Sequence, residues 1–366
     1  MHGLALAEDR AGVGLDRAQV VHLDFERRVG AAFWQHRVDG AAHHGIQQRR
    51  HHAAMHHADW IVEVFAGLDF HDDAAFLDFL QRLADQLTVL AALPAVHPEA
   101  RYEELMSRFS PVDGELSTLR RCGFALAAVL QGSEDPLQLL FPGGSLSEAR
   151  KLYVESPFAV TFNTALTEAL TTAIAELPPH ATLRVLEIGA GTGGTTTYVL
   201  PRLPGERVEY TFTDVSPLFL ERAAEQFGAY SFVRRSLLDI ERDPAEQGFE
   251  SGSYDIVIAA DVLHATRDLK ASITHAANLL RPGGLFLLLE ATQPTRFGQL
   301  TFGLTDGWWR FVDRDVRPVQ PLITGSTWQE LLQRSGFSGA MALPDVDFAF
   351  LDHHLIIARR VTSAPL

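Results

Sequence analysis

Apolar residues in the second half of the chain occur in short runs that alternate with segments of helical spacing. The runs predict strands at residues 184–188, 208–214, 230–234, 254–260 and 285–289, and two more at 339–343 and 355–359. Apolar positions three and four apart predict helices over 161–177 and 273–280. Strands that alternate with helices favour an α/β fold with a mainly parallel, doubly wound sheet, which the last two strands would complete as an antiparallel hairpin.

Upstream of this region the spacing is helical. Residues 76–90, 102–109 and 115–130 repeat apolar positions at intervals of three and four, and a further helix is expected to begin at Ser145 or Ser147. We therefore expect an N-terminal helical lid subdomain over 72–160 in front of an α/β core over 161–366. Such a lid would shape a pocket and exclude water, although helices that only pack on the core are an alternative.

Composition sets the N-terminus apart. Residues 1–70 hold nine of the chain's sixteen histidines, mixed with alanine and arginine. His52 and His56 would share one helical face, as metal ligands do, but no H-E-x-x-H pattern accompanies them and the hydrophobic spacing has no sustained period. We expect a disordered or non-native extension, and assign it neither a metal site nor a function.

Charge and cysteine content exclude other classes of protein. The net charge of −15 disfavours binding to a phosphate backbone, so no nucleic-acid partner is expected. The single cysteine, Cys122, allows no intramolecular disulfide and no cysteine-based metal cluster. No apolar run is long enough for a membrane helix and no signal-peptide pattern begins the chain, so we expect a cytoplasmic protein without a membrane partner.

A glycine-rich turn follows the first predicted strand. Gly189, Gly191 and Gly194 fit the pattern G-x-G-x-x-G, which lets a ligand lie against backbone at a helix N-terminus and also occurs in dinucleotide enzymes. Glu187 would repel a pyrophosphate and suits a cationic ligand such as S-adenosylmethionine. This stretch resembles motif I of the class I S-adenosylmethionine-dependent methyltransferases, which have a Rossmann-like fold. A turn that serves only packing is the alternative.

The ends of the next strands supply further ligand candidates. Asp214 can accept both ribose hydroxyls of a nucleoside, in a dinucleotide or in S-adenosylmethionine. Asp239 can accept the adenine amino group, although an ordinary loop aspartate is a serious alternative. The residues expected to contact the cofactor are Glu187, Gly189, Ala190, Gly191, Asp214, Leu238, Asp239 and Asp261.

His264 and Glu290 follow the fourth and fifth predicted strands. Ligands bind at the carboxyl ends of such strands, so both side chains are expected beside the cofactor. The carboxylate can accept a hydrogen bond from one ring nitrogen of the histidine while the other nitrogen acts as a base. A core histidine satisfied by hydrogen bonds is the alternative.

The sequence around these residues resembles the methyltransferase domain embedded in type I polyketide synthases. The matching words are Ala260-Asp-Val-Leu-His264-Ala-Thr, Leu-Leu-Leu-Glu290, Tyr153-Val-Glu-Ser-Pro157 with Asn163, and Leu304-Thr-Asp-Gly-Trp308-Trp309. The resemblance runs from about residue 75 to the end. One departure is that the family commonly has asparagine where Asp261 stands.

The resemblance implies a C-methyltransferase that uses S-adenosylmethionine and no metal. Its substrate would be the α-carbon of a β-ketoacyl chain that phosphopantetheine tethers to an acyl carrier protein, beside neighbouring synthase domains. It implies that His264 is the catalytic base and Glu290 its partner, with substrate contacts from Tyr153, Asn163 and Trp308.

Three other functions remain open. An O-methyltransferase would use the same pair on a β-hydroxyl, although an alcohol proton is much less acidic than that of a β-ketothioester. A non-catalytic domain would support its neighbours only, and it has no reason to retain Glu187, Gly189, Asp214, His264 and Glu290 together. A methyltransferase that acts on free small molecules is the third.

Overall fold

The computed structural model describes residues 97–109, 112–144, 147–178, 181–345 and 352–362. The predictions for the His-rich residues 1–71, for a helix over 76–90 and for a helix start at Ser145 fall outside these ranges. None of the helices in the described ranges is long and apolar enough to cross a membrane.

Helices precede the sheet, as predicted. They are α1 (Pro98–Arg108), α2 (Asp113–Leu130), α3 (Pro136–Leu140) and α4 (Ser147–Arg150), the last continuing into a π-helical turn, Lys151–Glu155. Arg121 joins three of them, since its guanidinium donates to the Leu139 carbonyl at 2.8 Å and to the Glu148 carboxylate at 2.9 Å. The helical segment is therefore held as one layer.

Helix α5, Pro157–Ala175, leads into the sheet. Its start is four residues earlier than the apolar spacing predicts because Ser156 caps it, accepting from the Ala159 amide at 3.1 Å, and Pro157 occupies the first turn. The buried face carries Phe162, Leu166 and Leu170, which pack against the strands.

The remaining elements alternate between strands and helices. They are β1 (Leu183–Ile188), α6 (Gly194–Val199), β2 (Val208–Asp214), α7 (Pro217–Gln226), β3 (Val233–Leu237), β4 (Tyr254–Ala260), α8 (Leu269–Leu279), β5 (Leu280–Ala291), α9 (Arg296–Leu300), α10 (Gly325–Arg334), β6 (Phe337–Leu343) and β7 (His353–Arg360). The sheet order is β3-β2-β1-β4-β5-β7-β6. Strands β1 to β5 pair in parallel, and β7 runs antiparallel to both β5 and β6. The predicted α/β, doubly wound, Rossmann-like sheet is confirmed.

Strand β3 is displaced from its predicted position. The strand expected over 230–234 is β3, which begins at Val233, three residues later than predicted. Tyr230 and Val233 close successive turns through hydrogen bonds to the carbonyls of Phe227 and Tyr230, and the rings of Tyr230 and Phe232 pack edge to face. The aromatic run therefore forms the connection from helix to strand.

Apolar side chains cover both faces of the sheet, as a parallel sheet requires. One cluster includes Leu166, Tyr210 and Phe212, and the other includes Ile273 and Trp328. The candidate site lies at the carboxyl ends of the parallel strands.

Candidate active site

A cavity of about 780 Å³ lies at the carboxyl ends of β1, β4 and β5. Helix α2, the π-helical turn and the segment around α9 form the opposite wall. The apolar lining side chains include Leu116, Leu119, Phe141, Leu152, Phe297, Phe302 and Leu322. The helical segment thus contributes directly to the cavity, as expected of a lid.

The glycine turn after β1 forms one wall of this cavity. Gly189 has a φ of 57°, and a Cβ atom there would lie 2.3 Å from Cγ2 of Val262. Gly191, with a φ of 55°, donates its amide hydrogen to Oδ2 of Asp214 at 2.9 Å. Asp214 Oδ1 accepts from the Ser216 amide at 2.8 Å, so this carboxylate ties the turn to the end of β2. Ala190, between these glycines, also lines the cavity.

Glu187 is buried at the end of β1 and lines the cavity. One of its carboxylate oxygens accepts hydrogen bonds from the hydroxyls of Thr196 and Tyr210. Burial raises the pKa of Glu187 to about 7 despite these hydrogen bonds. This acid therefore braces β1, β2 and α6 as well as facing the cavity.

Asp214 and the neighbouring Leu238 and Asp239 all lie outside the cavity lining. The Leu238 amide donates to the Asp214 carbonyl at 3.1 Å, and its side chain is buried. Asp239 Oδ1 accepts from the Glu241 amide at 3.0 Å, which is the bond of an ordinary loop aspartate. The loop of Leu238 and Asp239 thus lies next to Asp214, the residue predicted to bind the ribose. Oδ1 of Asp239 stabilises the turn of its own loop.

His264 and Glu290 form a pair at the cavity wall, in which the acid is buried and the histidine partly buried. Nδ1 of His264 lies 2.6 Å from Oε2 of Glu290, whose side chain is fully buried. Oε1 of Glu290 accepts from the Leu263 amide at 2.7 Å and from the Val262 amide at 3.2 Å. The carboxylate thus fixes both the histidine ring and the turn that carries it, and leaves Nε2 of His264 for a substrate.

The pKa of His264 reflects opposing influences. Burial lowers the pKa of this imidazole, but the charge and hydrogen bond of Glu290 and the charge of Asp261 raise it above its ordinary value. His264 is accordingly a stronger base than a free imidazole.

Arg317 stabilises the turn after β4 that carries His264. Its fully buried guanidinium pairs with Asp313, with Nε 2.7 Å from Oδ1, and donates to the carbonyls of His264 and Thr266, each at 2.8 Å. Nothing in the sequence spacing connects this residue to the site, because the two carbonyls that it binds there lie 53 and 51 positions earlier.

The three predicted substrate residues all line the cavity. The Trp308 ring lies 5.6 Å from the His264 ring, edge to face, whereas Trp309 is half exposed. Asn163 donates to the Tyr153 carbonyl at 3.3 Å and accepts from the Thr195 hydroxyl at 2.7 Å. Its amide therefore joins the lid to the glycine turn, and burial raises the pKa of the Tyr153 phenol.

Asp261 and His353 meet across the cavity wall. Nε2 of His353 lies 3.1 Å from Oδ1 of Asp261, and its Nδ1 lies 2.9 Å from Oδ1 of Asp352. Asp261 was expected from the sequence and His353 was missed. The Asp-His-His word before the last strand was the only available signal for His353.

Asp261, His264 and Glu290 also offer ligand atoms within 4.8 Å of one another, a spacing that suits a metal ion. However, Oε1 of Glu290 accepts backbone amides and Oε2 accepts the histidine Nδ1. The pair is better explained as an acid that orients a base.

The fold and the site together define a class I methyltransferase domain. A family described as "Methyltransferase domain" matches residues 186–286. The polyketide synthase ThaG of Burkholderia thailandensis is 37% identical over 296 residues, which are 77% of this chain and 5% of that protein. The chain thus spans a small part of the curated relatives it matches.

Two solved structures are similar over most of their length. The CurJ carbon methyltransferase is 41% identical with a TM-score of 0.72, covering 78% of this chain and 79% of that one. The trans-methyltransferase CalH, in complex with SAH, is 31% identical with a TM-score of 0.62, covering 72% of each chain. The chain belongs to the family of polyketide synthase methyltransferase domains.

Proposed function

We propose that this domain uses S-adenosylmethionine to methylate the α-carbon of a β-ketoacyl chain on an acyl carrier protein. The observation that carries the proposal is the contact of His264 with the buried Glu290 at the cavity wall, where Nδ1 and Oε2 lie 2.6 Å apart. The naming of CurJ as a carbon methyltransferase supports it.

The residues of the glycine turn fit the cofactor. A Cβ atom at Gly189 or Gly194 would meet Val262 or the Tyr153 carbonyl, so the turn admits only bare backbone. Asp214 would hold the ribose, and the carboxylates of Glu187 and Asp261 suit the positive end of the molecule. Leu238 and Asp239 would follow at the adenine. When bound, the cofactor supplies the electrophilic methyl group.

The chain's own residues would then generate the nucleophile. Nε2 of His264 accepts the proton of the α-carbon, and the electron pair of the broken C–H bond delocalises into the ketone and thioester as an enolate. Glu290 stabilises the imidazolium that forms, and the α-carbon takes the methyl group from the sulfonium. General base catalysis of this kind contributes roughly a hundred- to ten-thousand-fold.

The cavity also suits the proposed substrate. Its apolar side chains would bury an acyl chain, and Trp308 closes it beside His264 at 5.6 Å between rings. Tyr153 and Asn163 would shape the same end. Water excluded from this wall would protect the enolate from reprotonation. The acyl carrier protein and neighbouring synthase domains are proposed partners, because the relatives are whole polyketide synthases.

Intact-mass spectrometry tests the proposal. The protein and S-adenosylmethionine would be incubated with a β-ketoacyl carrier protein and, separately, with its β-hydroxyacyl counterpart. We expect a gain of one or more methyl groups on the keto substrate alone. A gain only on the hydroxy substrate would move the site to oxygen, and no gain on either with cofactor bound would favour a non-catalytic domain.

A further inference from the structure

Five ionisable side chains form a continuous array across the cavity wall. Asp352 and Asp261 flank His353 at 2.9 Å and 3.1 Å, and Glu290 lies 2.6 Å from His264. Asp261 closes the array, because its carboxylate lies within 4.8 Å of the His264 ring nitrogen. Acids and histidines alternate along this path from the start of β7, past the end of β4, to the end of β5.

Both ring nitrogens of His353 face carboxylates. Only the protonated imidazole carries a hydrogen on both nitrogens, so the two flanking carboxylates favour the cation. The 3.1 Å contact of Nε2 with Asp261 Oδ1 is an ion pair, and that buried oxygen has no hydrogen-bond partner among the described residues. Its surroundings hold it in place, because the Phe158 ring lies 4.1 Å away and the His353 side chain is only 15% exposed. The charges of Asp261 and Asp352 overcome burial and raise the pKa of His353 to about 10.

Asp261 needs such a restraint. Its φ of 51° is a left-handed conformation that non-glycine residues adopt rarely, and its amide donates to the Leu289 carbonyl at 2.8 Å. Its side chain is 24% exposed, and both Asp261 and His353 line the cavity. An anion at the cavity wall therefore has its orientation fixed by a mostly buried cation.

We propose that His353 is a positioning residue for methyl transfer, an imidazolium that locks Asp261 at the cavity wall and so sets the charge that His264 faces. This inference rests on the proposed function, in which His264 is the base. It assigns a role to a residue on β7, the last strand along the chain.

The groups around His264 decide the sign of each effect. Glu290 on β5 and Asp261 after β4 are anions that favour its imidazolium, and His353 on β7 is a cation that disfavours it. Asp352 neighbours His353, and the phenol of Tyr153 in the π-helical turn faces Asp261. Arg317 reaches this turn through the His264 carbonyl and also feels the charge of Glu290.

Two single variants and their combination test the role. His353→Gln removes the cation, so the pKa of His264 rises. The midpoint pH of the increase in single-turnover rate then moves up by roughly one unit. Asp261→Asn removes the anion and moves this midpoint pH down by a similar amount. In the double variant the two shifts largely cancel. His275→Gln is the matched control, since His275 bonds only the Ile240 carbonyl at 2.7 Å among the contacts described, and its profile should stay unchanged.

Proton NMR of the ring hydrogens gives a second readout that needs no turnover. We expect the His264 titration to shift in opposite directions in the two single variants, and that of His353 to fall in Asp261→Asn. Lower rates without any shift in either titration would make His353 merely structural and overturn the inference. If wild type transferred no methyl group, the proposed function would fail while the NMR shifts still tested the array. Should His353→Gln not fold, the Asp261→Asn titrations decide.

Discussion

In the proposed mechanism, the contact between Glu290 and Nδ1 of His264 sets the pH dependence of methyl transfer. His264 must be neutral to accept a proton, and its pKa lies above the ordinary value, so methyl transfer should be slow at low pH and rise as pH passes that raised pKa. Glu290→Gln removes the negative charge, so the pKa should fall and the rising limb should move to lower pH. Single-turnover rates across pH measure this, and an unmoved limb would contradict it.

The tight packing at Gly189 predicts a loss of cofactor binding on substitution. Gly189→Ala places a Cβ atom 2.3 Å from Val262 and strains a φ of 57°, so the turn must shift away from the ligand. We expect the affinity for S-adenosylhomocysteine, measured by calorimetry, to fall at least about tenfold. Gly123→Ala in α2 is the control, because a Cβ there meets nothing within 4 Å. Equal affinity in both variants would show that the glycine turn does not contribute to cofactor binding.

Single residues also show how far sequence reasoning reaches. The placement of Glu187, Gly189, Asp214, His264 and Glu290 at strand ends was predictable, because a parallel sheet brings the carboxyl ends of its strands together. The internal partners of Glu187 were not, since Thr196 and Tyr210 reach it from other elements. His353 escaped because its partner Asp261 lies 92 positions earlier (353 − 261) on a non-adjacent strand.

At the scale of elements, the turn between β4 and α8 depends on Arg317. Arg317→Met leaves Asp313 as a buried, unpaired acid and removes the bonds to the His264 and Thr266 carbonyls. We expect the free energy of unfolding to fall by about 3–5 kcal/mol. Arg310→Met, at an exposed position on the same segment, should change it by no more than about 0.5 kcal/mol. Denaturant titration compares them, and equal stabilities would show that the guanidinium does not support the turn.

Elements with one strong local signal were predictable and those with competing signals were not. Strand β2 and strand β4 have the predicted bounds, because each is a segment of strand-forming residues set between turns: β2 alternates apolar and polar residues and β4 is mainly apolar. For β3, residues 230–232 look like strand by composition, but their hydrogen bonds close turns after α7. Strand β5 starts at Leu280, five residues before the predicted start, because Leu280 pairs with Tyr254 ahead of a bulge.

At the scale of the molecule, a domain family found within polyketide synthases predicts a tethered substrate. We expect kcat/KM to be at least about tenfold higher for a β-ketoacyl group on its carrier protein than for the same acyl group as a free thioester. The reason is that binding energy from the carrier protein, remote from the reacting carbon, is used to orient the substrate. Steady-state kinetics on the two substrates measure the ratio. A preference for the free thioester would instead identify a small-molecule methyltransferase.

Exchange of the α-proton tests most directly whether His264 is the base. A β-ketoacyl carrier protein would be incubated in deuterium oxide with the protein and S-adenosylhomocysteine, which allows proton removal but supplies no methyl group. Wild type should exchange the α-proton at least a hundredfold faster than His264→Ala, while calorimetry shows equal binding of S-adenosylhomocysteine to both. Exchange by His264→Ala within a few-fold of wild type, with that binding intact, would contradict the account.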